Sequence, residues 1–420
     1  MSVSVSDELF AERKGCGPLL QRGRRSGLPL RQQVFEYVRS QGHAARSDIA
    51  SSLDVSAGSA TTITADLIAS GLLQEVDEQS REQGRGRPRV ALEVVSTAGY
   101  VIGIKLALDV HTAVLVDFNG KVVAEAKLSS RDQPRATPEL LDEVDALISG
   151  LLPNHSVALH EVHAIGLGLP GIVEHRTGQV IWSSMLHDRN QDLGVLLKDR
   201  YGLTIVLDND ANMLTLAELW FGAGRSMADF AVVTIESGVG MGLVLGNEIY
   251  RGAHGLGLEL GHTKVQLDGA LCRCGQRGCL EAYLADYALN REAGAALGHL
   301  VGQGSGPEDT LNLLFEQAKS GHEAAQTIFR RAGRFLSVGL ANVIQLFDPA
   351  LIILSGSQMK YDYLYASEIV DDVQKLTLSN GRKPCKVEIH AWDDLIWARG
   401  ASALALSKVT DSVVGHGVAA

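Results

Sequence analysis

Between residues 259 and 281 the chain reads ELGHTKVQLDGALCRCGQRGCLE, and no other stretch constrains its fold as strongly. Cys272, Cys274 and Cys279 fall within eight residues of one another, and His262 precedes them by ten. One imidazole and three thiolates suit four-coordinate zinc. Gly275 and Gly278 let the backbone fold tightly around an ion. Four protein ligands leave no open coordination position, so the expected zinc is structural. Cys16 and Cys385 stand apart and carry no assigned role; five cysteines, three of them clustered, argue against a disulfide framework.

At 420 residues the chain exceeds one ordinary domain, and its 45% hydrophobic content can bury sizeable cores. No run of eighteen apolar residues occurs, so no membrane insertion is expected. The opening MSVSVSDELFAERKG has acidic residues ahead of any apolar stretch and does not read as a secretory signal, so a cytoplasmic location is expected. The net charge of −11 looks wrong for a nucleic-acid binder. Its distribution matters more: residues 1–95 hold 12 of the 38 basic and 12 of the 49 acidic side chains, and are neutral. A neutral module still binds DNA if its arginines converge on one face.

Residues 1–27, with GCGPLLQRGRRSG, lack periodicity and are expected to form a flexible arm. Residues 28–95 read as a winged helix-turn-helix. Val34, Phe35 and Val38 mark one face of a first helix, Ser47 is placed as the cap of a second, and Ser56 as the cap of a third with Ala60, Ile63 and Leu67 inward. Strands follow at 72–76 and 89–95 around the loop EQSREQGRGRP. The third helix would enter the major groove of double-stranded operator DNA, presenting Ser56, Ser59, Thr61 and Thr62. Arg85, Arg87 and Arg89, spaced by Gly and Pro in the wing, suit a narrow minor groove.

From residue 96 alternating segments replace helices. FNGK carries the Asn-Gly of a hairpin turn, and FAVVTIESGVGMGLVLGNEIYRG from 230 echoes the first hairpin set, which suggests two lobes of similar design. The expected lobes are 96–215, joined by a final helix at 393–408, and 216–392 with the cysteine loop.

ELGH followed by CRCGQRGCLE resembles the signature of the ROK family (repressors, open reading frames, kinases). GLGLPGIVE (166–174), LDNDANMLTLAELWFGAG (207–224) and SGVGMGLVLGNEIYRGAHG (237–255) match further family motifs in the same order. The resemblance covers about residues 28–408. It implies an α/β, two-lobed, actin-like and hexokinase-like (ribonuclease H-like) fold behind an N-terminal α+β winged helix, with a sugar bound in the cleft. The sugar contacts it implies are Gly168 and Gly171 of GLPG, Asn209 and Asp210 of NDAN, Glu259 and His262 of ELGH, and Glu281. In family kinases the aspartate at Asp210 removes the hydroxyl proton. Carboxylates and amides suit this independently, since sugar hydroxyls pair with both.

Kinases of the family carry Asp-x-Gly-Gly-Thr in the first hairpin. Here IGIKLALDVH (102–111) puts Lys105 in place of the aspartate, and Leu106, Ala107 and Leu108 where glycines would let backbone amides approach phosphate. TIESGVG (234–240) places Glu236 at a usual glycine, and LSGSQ (354–358) keeps one expected glycine. The expectation is therefore no enzyme: a sugar-responsive transcription regulator, a repressor by family pattern, working as a homodimer or dimer of dimers. A DNA-bound adaptor controlled by a sugar-transport protein and a sugar kinase are the alternatives. An arginine often present in the recognition helix of such repressors is replaced by Thr62.

Overall fold

The computed structural model describes residues 4–5, 15–19, 27–77, 90–152, 157–298, 306–356, 359, 367–378, 380–381 and 383–415. It divides into two compact units. One comprises Leu9–Ala228, Gly246–Glu248 and Asp393–Ala420; the other comprises Met1–Glu8, Asp229–Leu245 and Ile249–Trp392. A two-residue strand, β1 (Ser4–Val5), opens the chain within the second.

The first unit begins with α1 (Leu30–Gln41), β2 (Ala44–Ala45), α2 (Arg46–Leu53), α3 (Ala57–Ala69), β3 (Leu73–Asp77) and β4 (Val90–Val94). Val34, Phe35 and Val38 are buried on α1, at the spacing the sequence predicts, and Gly42 ends the helix at φ +79°. Ser56 caps α3 by accepting the Ser59 N–H at 3.0 Å. Ala60 and Leu67 point inward with Thr64, whereas Ile63 is half-buried. Ser47 is not a cap: α2 starts one residue earlier, with Ala45 at the N-cap position. β3 and β4 pair antiparallel, Leu73 opposite Val94, and β2 completes the small sheet.

A five-stranded sheet follows in the same unit. β5 (Tyr100–Lys105), β6 (Val110–Asp117) and β7 (Val122–Ser129) form an antiparallel meander turned by Asn119 and Gly120, the latter at φ +85°. After α4 (Thr137–Leu151), β8 (Val162–Leu169) lies parallel to β5. A hairpin of β9 (Ile172–Glu174) and β10 (Gln179–Trp182) and helix α5 (Leu193–Tyr201) lead to β11 (Thr204–Asn209), parallel to β8. The chain then enters α6 (Asp210–Trp220).

The second unit repeats this plan. β12 (Phe230–Ile235), β13 (Val239–Leu245) and β14 (Glu248–Tyr250) run as a meander in its sheet; after α7 (Glu281–Leu284), α8 (Asp286–Leu297), α9 (Pro307–Lys319) and α10 (Glu323–Phe347), β15 (Leu351–Ser355) pairs parallel to β12. α11 (Ser367–Leu376) leads to β16 (Lys386–Ala391), parallel to β15. The orders β11-β8-β5-β6-β7 and β16-β15-β12-β13-β14 correspond strand for strand, with β1 added beside β16. No described helix is long and apolar enough to cross a membrane.

The last helix, α12 (Ile396–Val409), lies on the first unit's sheet in backbone contact. A Cβ on Gly103 would sit 2.0 Å from the Ala398 carbonyl oxygen, one on Gly166 1.9 Å from that of Ala401, and one on Gly400 1.8 Å from that of Met213 in α6. No side chain fits between these elements.

Two expectations about organisation change. The boundary expected at 215/216 would cut through α6; it falls instead after Ala228, because α6 runs unbroken to Trp220 and residues beyond it bond back into the first unit. The expected flexible arm does not extend through residues 15–19. Cys16 is 3% exposed, its N–H bonds the Arg39 carbonyl at 3.1 Å, and Gly17 and Leu19 donate to the carbonyls of Trp220 and Arg225. Burial without local periodicity is invisible to a pattern search.

Candidate metal and ligand site

The cysteine loop forms part of the second unit. Ligand atoms of His262, Cys272, Cys274 and Cys279 lie within 4.8 Å of one another, so the four could hold a metal ion. Cys272 Sγ is 3.7 Å from His262 Nδ1, and Cys274 Sγ is 3.7 Å from Cys279 Sγ. Thiolates at about 2.3 Å from a tetrahedral centre are separated by about 3.8 Å. These two separations suit a tetrahedral ion, with Nδ1 the histidine atom nearest the Cys272 sulfur.

Local chain geometry makes this possible. Gly275 and Gly278 adopt φ +86° and +77°, and a Cβ on Gly278 would meet the Gln266 carbonyl at 1.7 Å. Tyr283 anchors the loop, its hydroxyl accepting the Ala270 N–H at 2.8 Å while its ring stacks on Phe335. Lys264 Nζ lies 2.9 Å from Cys279 Sγ, and this bond raises the lysine pKa. Three thiolates on a divalent ion would leave one excess negative charge, which that ammonium would offset.

Glu281 opens α7 and is buried. One carboxylate oxygen accepts the Val239 N–H at 3.3 Å; the other is 3.5 Å from Cys272 Sγ and 3.4 Å from the Tyr287 hydroxyl. Its carboxylate thus ties the cysteine loop to β13. Glu259 is exposed and follows Leu258, held at φ +70°, a left-handed conformation costly for a side chain of that size.

In the first unit Asn209 caps α6 by accepting the Asn212 N–H at 2.8 Å, and Asp210 occupies the first helical position. Burial pushes the Asp210 carboxyl pKa up, against the opposing pull of the Lys105 charge and the Ala211 N–H. Lys105 Nζ lies 3.8 Å from the centre of the Trp397 ring. Gly168 and Gly171 have packing reasons to be glycine. A Cβ on Gly168 would strike Met213 at 2.3 Å, and Gly171, at φ +134°, would strike the Trp182 carbonyl at 2.2 Å.

The loop after β5 is closed from within. The Leu106 N–H donates to the Gly168 carbonyl at 2.8 Å, and the Ala107 N–H to His111 Nδ1 at 3.1 Å. Accepting at Nδ1 leaves the His111 proton on Nε2, which faces Glu143 at 3.0 Å. Burial holds the His111 pKa down, in keeping with a neutral ring. Leu106 itself is fully buried in the core. The Leu106 and Ala107 amides, which the resemblance sets at the phosphate loop, are thus bonded within the protein.

On α3 the side chains of Ser56, Ser59, Thr61 and Thr62 are all exposed near the helix N-terminus. Thr61 Oγ1 bonds back to the Ala57 carbonyl at 2.8 Å, and Ser56 and Ser59 hydroxyls are 2.9 Å apart. Arg85, Arg87 and Arg89 lie outside the described residues. Pattern reading missed Lys264, His111 and the Lys105–Trp397 pair, since each depends on residues distant in sequence or on a ring orientation.

An N-terminal winged helix joined to a duplicated α/β sheet plan, with a His/Cys₃ loop in the second repeat, defines a regulator-type architecture built on a sugar-kinase-like body. Residues 101–408 match the ROK family. The chain belongs to the ROK family. It is 30% identical over 336 residues to the DNA-binding transcriptional dual regulator NagC of Escherichia coli K12, covering 78% of this chain and 80% of that protein. It is 27% identical to a putative xylose repressor of a Caldicellulosiruptor strain, covering 90% and 95%. In fold it is similar to a ROK family transcriptional regulator described as a homologue of the E. coli MLC protein, with a TM-score of 0.75, 23% identity and coverage of 91% of this chain and 96% of that one.

Proposed function

We propose that the chain is a DNA-binding transcriptional regulator, acting as a repressor, whose ROK body binds a sugar or sugar derivative and does not phosphorylate it. The observation that carries this reading is the pairing of a retained Asp210 with a phosphate loop whose Leu106 and Ala107 amides are satisfied internally. An aspartate that keeps its place at the head of α6 while the phosphate amides are withdrawn serves recognition rather than transfer. Lys105 adds a cation where the resemblance places a carboxylate in kinases.

Asn209 and Asp210 are the proposed sugar contacts of the first unit, with Gly168 and Gly171 shaping the backbone beside them. Glu259, His262 through Nε2, and Glu281, which also holds the loop, are those proposed for the second. His262, Cys272, Cys274 and Cys279 hold a structural zinc. Ser56, Ser59, Thr61 and Thr62 read operator DNA, with Arg85, Arg87 and Arg89 in the wing. The protein works in the cytoplasm as a homo-oligomer.

A thermal-shift screen tests this on the zinc-loaded protein with D-xylose, D-glucose, N-acetylglucosamine, its 6-phosphate and, separately, ATP with magnesium. A bound sugar raises the melting temperature by mass action. The expected result is a sugar shift and no ATP shift. An ATP shift would return the chain to the kinases, and no shift with any sugar would favour control by a protein partner.

A further inference from the structure

All elements concerned here belong to the first unit. Helix α6 starts at Asp210 and ends at Trp220, a span of about 16 Å at 1.5 Å per residue. Helix α12 starts beside Lys105, which its Trp397 covers, and continues through a wider π-type turn at Thr410–Val414. The two helices meet backbone to backbone where Gly400 faces Met213, and α12 lies equally close on β5 and β8. Helices in backbone contact have no side chains whose rotamer changes could absorb a displacement, so they shift together.

Both far ends converge on α1 of the winged helix. The Arg39 guanidinium, 2% exposed, lies 4.6 Å from the Trp220 ring centre and 5.4 Å from that of Phe35, and donates to Thr410 Oγ1 at 2.8 Å. Its Nε has no hydrogen-bond partner among the described residues. Gln32 donates to Asp411 at 2.8 Å, and Arg225, just beyond α6, donates to the Ser40 carbonyl at 2.5 Å. Arg31 goes one step further. Its NH1 donates to the Val414 carbonyl at 2.7 Å, its Nε to Asp66 at 2.6 Å and its NH2 to Ser70 at 3.0 Å. Asp66 and Ser70 form the end of α3, so a single planar guanidinium ties the recognition helix to the C-terminal turn.

We propose that Arg31 and Arg39 are positioning residues that couple the Asp210 end of α6 and α12 to the recognition helix. The proposal rests on the sugar-effector reading above. A sugar that shifts the head of α6 moves Trp220 and Thr410 against Arg39, and moves Val414 against Arg31. One hydroxyl and two rings hold the Arg39 guanidinium, and the Asp411 carboxylate, one residue past Thr410, also acts on its charge. Arg31 converts the displacement into a turn of α3.

The test uses the full chain, a DNA duplex selected in vitro by the wild-type protein, and whichever of D-xylose, D-glucose, N-acetylglucosamine or its 6-phosphate raises the melting temperature most. In the wild type, saturating sugar should change DNA affinity about tenfold. In Arg31→Gln, sugar should still raise the melting temperature and sugar-free DNA affinity should stay within about threefold, while the sugar response falls below about twofold. Arg39→Met, which keeps the apolar stem, should uncouple in the same way and decides the matter if Arg31→Gln does not melt cooperatively. Hydrogen exchange over residues 57–69 should respond to sugar in the wild type and in neither variant. A full sugar response of DNA affinity in the folded variants would overturn the coupling while leaving sugar binding intact. Absence of a sugar shift in the wild-type protein would instead remove the effector reading, and the coupling with it.

Discussion

Single residues here carry opposing demands. Burial raises the Asp210 pKa, so between the ordinary carboxylate range and that raised value the folded state binds more protons than the unfolded one. Stability from this group is therefore present on the acid side and is lost as pH rises through the folded pKa. Asp210→Asn should raise the melting temperature at pH 7, by a gain of about 0.5–2 kcal/mol, with the gain vanishing below about pH 4. The same variant should lose the sugar-induced shift; a destabilised variant at pH 7 would refute the assignment. Among the metal donors Cys274 is the exposed one. Cys274→Ser should lower bound zinc, read by mass spectrometry, from about one ion per chain to well below one, and should make the protein melt like the chelator-treated wild type.

Among the elements, α12 shows why its composition is so rich in small residues. Gly400 faces the Met213 carbonyl with no room for a methyl group, 1.8 Å from where a Cβ would stand. Gly400→Ala should destabilise by about 1–3 kcal/mol in denaturant unfolding, since overpacking must push α6 and α12 apart. If the substitution is neutral, the close approach of these helices is wrong. Helix α3, the proposed recognition helix, shows the reverse economy: its N-terminal end is hydroxylic and carries no basic side chain, so in that role attraction to phosphate has to come from elsewhere.

For the whole molecule the proposed source is the set of arginines at 85, 87 and 89. A chain with a net charge of −11 meets DNA against its own field, and the neutral first 95 residues reduce this only locally. Replacing Arg85, Arg87 and Arg89 by Gln should lower the slope of log affinity against log salt by about 1 for each phosphate that an arginine no longer neutralises. An unchanged slope in a filter-binding or anisotropy titration would show that these arginines do not touch the backbone of DNA.

The sequence alone determined what local chemistry and periodicity encode. His262 with the three cysteines announced a metal loop, because ligand spacing within one segment survives without knowledge of the rest of the chain. Val34, Phe35 and Val38 announced α1, the Asn-Gly at 119–120 its hairpin, and the repeated meander its two related sheets. Lys105 and Leu106 showed that the phosphate loop was changed. What closes that loop, the Gly168 carbonyl and His111, was decided by the pairing of β5 with β8 and by the ring's placement. Tertiary structure alone drew Cys16 into the core, joined Arg39 to Trp220 and Thr410, and set Arg31 of α1 between the end of α3 and the C-terminal turn. These partners lie hundreds of positions apart in several cases, and packing, not pattern, brings such residues together.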